Sequence, residues 1–282
     1  MDRAAPGQTA PARRERARQR GHRGGAILQH RSIWRLRLPL HRLALGLLIA
    51  LGYSALLALL QAPLAGFWHG QMLAWLQGLD LVGPLPAVDL AALAPADSGG
   101  WGLPALQLDL PMSDLGPVGL ASHALACVVL WTGAGWLPDS AKPGAYVLRF
   151  AVLIHAASVL YFSLWPGSFV HSLGGHVNAG LRQAWMLMLI TPWLHLCTYY
   201  PFPFPWWQRL ALTGLTLLYL ALLAPLQYTT HALLLVAAGP VLMPLLHLLF
   251  GVMVPILGLV ALYGWGMSWH DPPRAPGARH AG

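Results

Sequence analysis

The feature that most constrains this chain is a long apolar stretch near its end, residues 232–269, which contains no Asp, Glu, Lys or Arg. An α-helix of that length would measure about 57 Å, whereas the hydrocarbon core of a bilayer is about 30 Å thick. We therefore predict two short membrane spans that turn near residues 247–251, with one span plus a re-entrant piece as the alternative. Pro240, Pro244 and Pro255 interrupt the stretch.

Five further apolar runs reach or approach the roughly 20 residues that a helix needs to cross a bilayer: residues 43–67, 119–137, 145–165, 181–200 and 210–226. Hydrophobic residues make up 56% of the 282 residues and charged residues only 9%. Since lipid offers no partners to backbone polar groups, spanning segments satisfy their own as helices. The predicted fold is an all-α polytopic membrane helix bundle of six or seven spans, formed by a first span at 43–67 and the remainder at 119–269.

The charged residues predict the orientation of the bundle. Eleven of the 17 Lys and Arg residues lie within 1–42, which predicts a disordered cytoplasmic tail at the plasma (inner) membrane. Residues 68–118 contain five Asp but no Lys or Arg, so we place them outside the cell. Seven spans would put the tail 270–282 outside, whereas Arg274 and Arg279 favour the inside, which supports the re-entrant alternative. The basic tail is interpreted as a topology signal, with membrane lipids and not nucleic acid as partners.

The outer segment has two local patterns. In FWHGQMLAWLQGLD, apolar residues recur at helical spacing and predict an interfacial helix: Trp68, Met72, Trp75, Leu76 and Leu79. In LPALQLDLPM, Leu106, Leu108 and Leu110 alternate with polar residues, which predicts a strand, and residues 86–93 could pair with it as a small β-hairpin. About fifty residues are too few for a robust core, so this segment should rest on the bundle or on another protein.

Residues 194–209, LHLCTYYPFPFPWWQR, set three prolines among aromatic side chains. Proline favours an extended link that continues neither neighbouring helix, and Tyr and Trp favour the membrane boundary. We predict a stiff joint between two spans on the cytoplasmic side, with a ring-lined ligand site as the alternative.

The histidines raise the question of a metal or haem site. By their counted positions, His155 and His195 differ in depth by roughly 8 Å, and His171 and His176 are five residues apart, which is not the spacing of ligands on one helix face. No Asp or Glu falls at mid-membrane, which disfavours ion-coupled transport. We therefore predict no metal and no cofactor, and keep a haem- or metal-binding protein or a transporter as an alternative.

One set of reactive side chains shares the outer half of the membrane: Cys127, Arg182 and His231. A thiol, an imidazole that deprotonates it and a guanidinium that holds an oxyanion are the parts of a cysteine acyl transferase. With the Asn178-x-x-x-Arg182 pattern, this arrangement resembles the exosortase family of membrane cysteine transpeptidases over residues 60–240. The resemblance implies cleavage of C-terminal sorting tails of exported proteins.

Cys127 is followed by valine, whereas the Cys of the family stands in a Cys-Ser-Gly motif. The outline also resembles the multi-spanning membrane proteins associated with exosortases. We therefore expect a non-catalytic accessory protein of envelope or surface-protein export or processing, with another envelope membrane protein as its partner. His176, Asn178 and Arg182 are then the expected binding residues, and the membrane transpeptidase remains the alternative.

Overall fold

The computed structural model describes residues 40–79, Leu103, Leu106, Leu108, 110–199 and 204–269. Six helices follow one another in these residues: α1 (Leu40–Gly78), α2 (Pro117–Gly133), α3 (Lys142–Leu164), α4 (Leu173–Tyr199), α5 (Trp206–Ala238) and α6 (Pro240–Met267). Short 3-10 turns, Ala134–Trp136, Asp139–Ala141 and Pro166–Ser168, lie between α2 and α4. The predicted all-α helical bundle is confirmed.

Five of the described helices, all except α4, are long and apolar enough to cross a membrane. Helices α2 and α3 reach this length when the adjoining 3-10 turns are included. The excepted helix has 27 residues, which is about 40 Å of helix and therefore also sufficient in length. Its lower hydropathy comes from polar residues such as His176, Asn178, Arg182 and His195. Two of these residues, His176 and His195, are buried, so they face neighbouring helices.

Helices α1, α4 and α5 pack against one another and form the main core. Trp68 of α1 donates its indole N–H to the carbonyl oxygen of Ala221 at 2.7 Å, and Tyr53 donates its hydroxyl to the carbonyl oxygen of Leu210 at 2.8 Å. In a membrane, helices associate through close packing and hydrogen bonds of this kind, because lipid is as apolar as the core. These contacts fix α1 and α5 side by side.

Helices α2 and α3 form a hairpin that reaches the main core through the start of α6. The hydroxyl of Ser158 on α3 donates to the carbonyl oxygen of Val241 at 2.7 Å, and a small apolar cluster surrounds this contact. It consists of Val159, Phe162 and Val241, with Leu115, Leu120, Phe169 and Leu242 packed against them. Helix α2 itself packs mainly against α3.

The turn in the last apolar stretch lies at Gly239, and the turn predicted near residues 247–251 is wrong. Gly239 has φ of +75°, a conformation that residues with a side chain rarely adopt, and a Cβ there would lie 2.7 Å from the carbonyl oxygen of Ser113. From Pro240 the chain stays helical to Met267, with a π-helical stretch at Leu246–Met253. The π-helical stretch, whose turns are wider than those of an α-helix, directly precedes Pro255. The ring of a proline and its missing N–H do not fit a regular α-helix.

Two other predicted boundaries also differ from the structure. The helix α5 runs unbroken through Pro225, so residues 210–226 and the start of the last stretch belong to one helix. Likewise α1 continues through Pro63 and past residue 67, so the predicted first span and interfacial helix are one helix. Trp68, Met72 and Leu76 are fully buried in the core. Their tertiary packing stabilises the helical conformation beyond residue 67.

The proline-rich stretch does separate two helices, as predicted: α4 ends at Tyr199 and α5 begins at Trp206. Phe204 is buried and packs edge-on against Tyr199, with ring centroids 5.6 Å apart. Pro201 and Pro203 lie outside the described residues. The described part of the joint is therefore packed onto the bundle through its rings.

The predicted outer hairpin is not seen among the described residues, and its proposed partner strand at 86–93 lies outside them. Leu106 and Leu108 are nonetheless both buried in the main core, as expected of residues on one face of an extended segment. The segment rests on the bundle through contacts with α4.

Candidate functional site

Three histidines from three helices meet at one end of the bundle: His176 near the start of α4, His231 near the end of α5 and His247 in the π-helical stretch of α6. The turn at Gly239 explains the meeting, because His231 precedes it and His247 follows it by the same eight residues, about 12 Å of helix. The Nε2 atom of His176 lies 3.2 Å from the Nδ1 atom of His231. We call these three residues the histidine cluster.

The histidine cluster joins a buried pair to an exposed third ring. His176 and His231 are 8% and 1% exposed, whereas His247 lies on the surface of the bundle. The ring centroids of His176 and His247 are 6.1 Å apart, and Tyr228 packs edge-on against His231 at 5.1 Å. The Nε2 atom of His231 is buried and has no hydrogen-bond partner among the described residues.

Gly180 allows α4 and α5 to approach closely beside the histidine cluster. A Cβ at this position would occupy the space of the Tyr228 ring, so no larger residue fits without movement of that ring. A hydrogen bond also joins α4 to α6: the side-chain amide of Gln183 donates to the carbonyl oxygen of Gly251 at 3.3 Å. Residue 251 lies in the π-helical stretch, whose altered hydrogen-bonding pattern frequently marks functional sites.

Asn178, one of the predicted binding residues, holds the segment that precedes α2. Its side-chain oxygen accepts the backbone N–H of Leu106 at 2.8 Å, and its side-chain NH₂ donates to the carbonyl oxygen of the same residue at 2.9 Å. The carboxamide therefore pairs with the backbone as a neighbouring strand would. Gly174, one turn earlier, lets the carbonyl oxygen of Leu108 come within 2.7 Å of where a Cβ would be.

Cys127, Arg182 and His231 are placed on three different helices. Cys127 is buried on α2, which packs mainly on α3, while Arg182 is exposed on α4. Among the described residues, no hydrogen bond joins the thiol to Arg182 or His231. The described contacts of His231 are instead with His176, Tyr228 and Phe250.

A second pair of imidazoles lies on the hairpin of α2 and α3. The Nδ1 atom of His123 is 3.1 Å from the Nε2 atom of His155, and the rings meet edge-on. Cys127 lies one helical turn after His123 on the same helix. Both cysteines are free; Cys127 is buried and Cys197 is exposed.

The site contains neither a complete metal centre nor a carboxylate relay within the described residues. No group of three or more His, Cys, Asp or Glu side chains is arranged there to hold a metal ion. Asp114 and Asp139 lie before α2 and before α3, outside the helices. Any chemistry of the histidine cluster therefore depends on imidazole nitrogens alone.

Sequence reasoning named His176 and His231 separately but missed their contact with His247. The turn predicted near residues 247–251, together with the predicted break between residues 226 and 232, would place His247 and His231 at opposite ends of one span. The signal that could have found the histidine cluster was the pair Gly239-Pro240, a strong helix terminator. A turn placed there brings both histidines to one depth.

No family model, curated protein or solved structure matches this chain.

Proposed function

We propose that the chain is a six-span integral protein of the inner (plasma) membrane, with α4 as the sixth span. Helix α4 is long enough and packs against both α1 and α5, and its polar residues His176 and His195 are buried in the bundle. An even number of spans puts both tails on one side, and a cytoplasmic side satisfies the eleven basic residues of 1–42 as well as Arg274 and Arg279. The segment that precedes α2 is then outside the cell.

Within this frame, the proposed role is that of a non-catalytic accessory component of envelope or surface-protein export or processing. The observation that carries this choice over the cysteine transpeptidase is the partner of His231, which is His176 and not the thiol of Cys127. A general base must lie within hydrogen-bond reach of its nucleophile or reach it by a modest movement. Here the thiol lies on a helix that packs mainly on α3.

The resemblance in outline to proteins associated with exosortases supports an accessory role, and the exposed Arg182 supports a binding surface for a partner protein. An arginine on the surface of a bundle can pair with a carboxylate of a partner or with a lipid phosphate. Asn178, His176 and Arg182 line the same end of α4. The expected partners are another envelope membrane protein and membrane lipids.

The test compares Cys127→Ala with Arg182→Ala in a strain that lacks the chromosomal gene. We expect the first variant to restore surface-protein export fully, because a packing cysteine is replaceable at a cost of about 1 kcal/mol or less. We expect the second to fail at normal protein level. A nucleophilic thiol has no substitute, so complete loss with both Cys127→Ala and His231→Ala would instead establish the transpeptidase.

A further inference from the structure

The two buried imidazoles of the histidine cluster are spaced as metal ligands are. Two nitrogen ligands at 2.0–2.1 Å from a tetrahedral zinc ion lie about 3.3–3.4 Å apart. The Nε2 atom of His176 and the Nδ1 atom of His231 are 3.2 Å apart. Both rings are held in place: His231 packs against Tyr228 and Phe250, and His176 packs against Tyr228.

A third ligand lies within reach of the pair. His247 is on the surface of the bundle, so its side chain can change rotamer without repacking the core. Its ring centroid is 6.1 Å from that of His176. In the present arrangement the three nitrogens do not converge, in agreement with the absence of a ready three-ligand group among the described residues. A three-ligand site would require the exposed side chain of His247 to adopt a different rotamer.

The donor set selects the class of ion. The described side chains around the histidine cluster are imidazoles, aromatic rings and the amide of Gln183, without a carboxylate among their contacts. Neutral imidazole suits Zn²⁺, Cu²⁺ and Ni²⁺, whereas Mg²⁺ and Ca²⁺ require oxygen ligands. The surface position of His247 leaves the remaining coordination position open to water or to a ligand from a partner.

We propose that His176, His231 and His247 bind one transition-metal ion of the zinc class, with the first two residues as fixed ligands and His247 closing the site. This inference is independent of the accessory role. It rests on the 3.2 Å approach of the Nε2 atom of His176 to the Nδ1 atom of His231 and on the position of the His247 ring beside His176.

The experiment measures Zn²⁺ binding to the full chain in detergent, purified through a tag that contains no histidine, by competition with a chromogenic chelator. We expect one ion per chain. We expect His176→Ala and His231→Ala each to weaken binding by about 100-fold or more, and His247→Ala by about 10-fold or more, because loss of one ligand removes a bond to the ion.

The matched control is His195→Ala, since His195 is a buried histidine of the same helix as His176 but bonds to Thr213. The affinity of this variant for Zn²⁺ should stay within about twofold of the parent, because His195 bonds to Thr213 and is not part of the histidine cluster. Thermal unfolding with and without Zn²⁺ gives a second readout: at one fixed Zn²⁺ concentration, the ion should raise Tm of the parent and of His195→Ala by similar amounts, and Tm of the surface variant His247→Ala by less.

Absence of stoichiometric binding by the parent would overturn the proposal. Retention of the parent affinity in the double variant His176→Ala with His231→Ala would also overturn it, by placing the ion on histidines of the tails. Failure of a buried variant to fold does not remove the test, because His247→Ala changes only a surface side chain. Parent-like affinity in that variant would exclude the three-ligand site.

Discussion

The Nε2 atom of His176 lies 3.2 Å from the Nδ1 atom of His231, although 55 residues separate them in the chain. The contact depends on close packing of α4 and α5, which Gly180 permits. One ring donates and the other accepts, so each satisfies a nitrogen of the other without water. The pair therefore acts as a polar link between two helices inside an otherwise apolar bundle.

Replacement of His176 by alanine should lower the free energy of unfolding by about 1–3 kcal/mol, because it leaves the Nδ1 atom of His231 buried and unpaired. Replacement by glutamine should recover part of this loss through a new hydrogen bond. Unfolding in mixed detergent micelles, followed by circular dichroism, measures both values in the absence of metal ions. Equal stability of the alanine variant and the parent would show that the pair contributes nothing to folding.

Replacement of Gly180 by alanine should destabilise the bundle by about 1–3 kcal/mol, because the added methyl group collides with the Tyr228 ring and separates α4 from α5. The matched control is Gly52→Ala in α1, where a Cβ meets nothing within 4 Å. There alanine should stabilise by up to about 1 kcal/mol through its higher helix propensity. The same mixed-micelle unfolding assay compares the two variants, and effects of equal sign would contradict the packing argument.

Replacement of Asn178 by leucine should release the segment that precedes α2, because both hydrogen bonds to Leu106 are lost. The expected result is faster cleavage of this segment by an added protease, with α4 intact. Asn178→Asp keeps the acceptor for the backbone N–H but not the donor, so its cleavage rate should fall between those of the parent and the leucine variant. Unchanged cleavage in both variants would show that the buried leucines alone hold the segment.

The proposed six-span topology is tested by placing a single cysteine at Ser98 or at Ala281 in a background that lacks Cys127 and Cys197. With the segment that precedes α2 outside and both tails inside, a membrane-impermeant thiol reagent should label the first variant in intact cells and the second only after lysis. Labelling of both in intact cells would require an odd number of spans. Labelling of the Ala281 variant alone in intact cells would reverse the orientation.

Periodicity, charge and proline placement were enough to predict a helical membrane bundle and a boundary between α4 and α5. Those properties are local: an apolar run forms a helix because lipid offers no other way to pair its backbone, and Pro201, Pro203 and Pro205 stand between two such runs.

The ends of α1, α5 and α6 were decided by tertiary packing. Pro63, Pro225 and Pro255 all lie within continuous helical stretches, whereas Gly239 turns the chain, because its positive φ and its lack of a Cβ let it approach Ser113. From that one turn follows the meeting of His231 with His247, and from the space at Gly180 follows the meeting of His231 with His176. The three histidines can be read from the sequence, but only the packing of three helices brings them together. The depth of each histidine in the membrane depends on where its helix begins and ends, and the spacing of the histidines along the chain does not determine this.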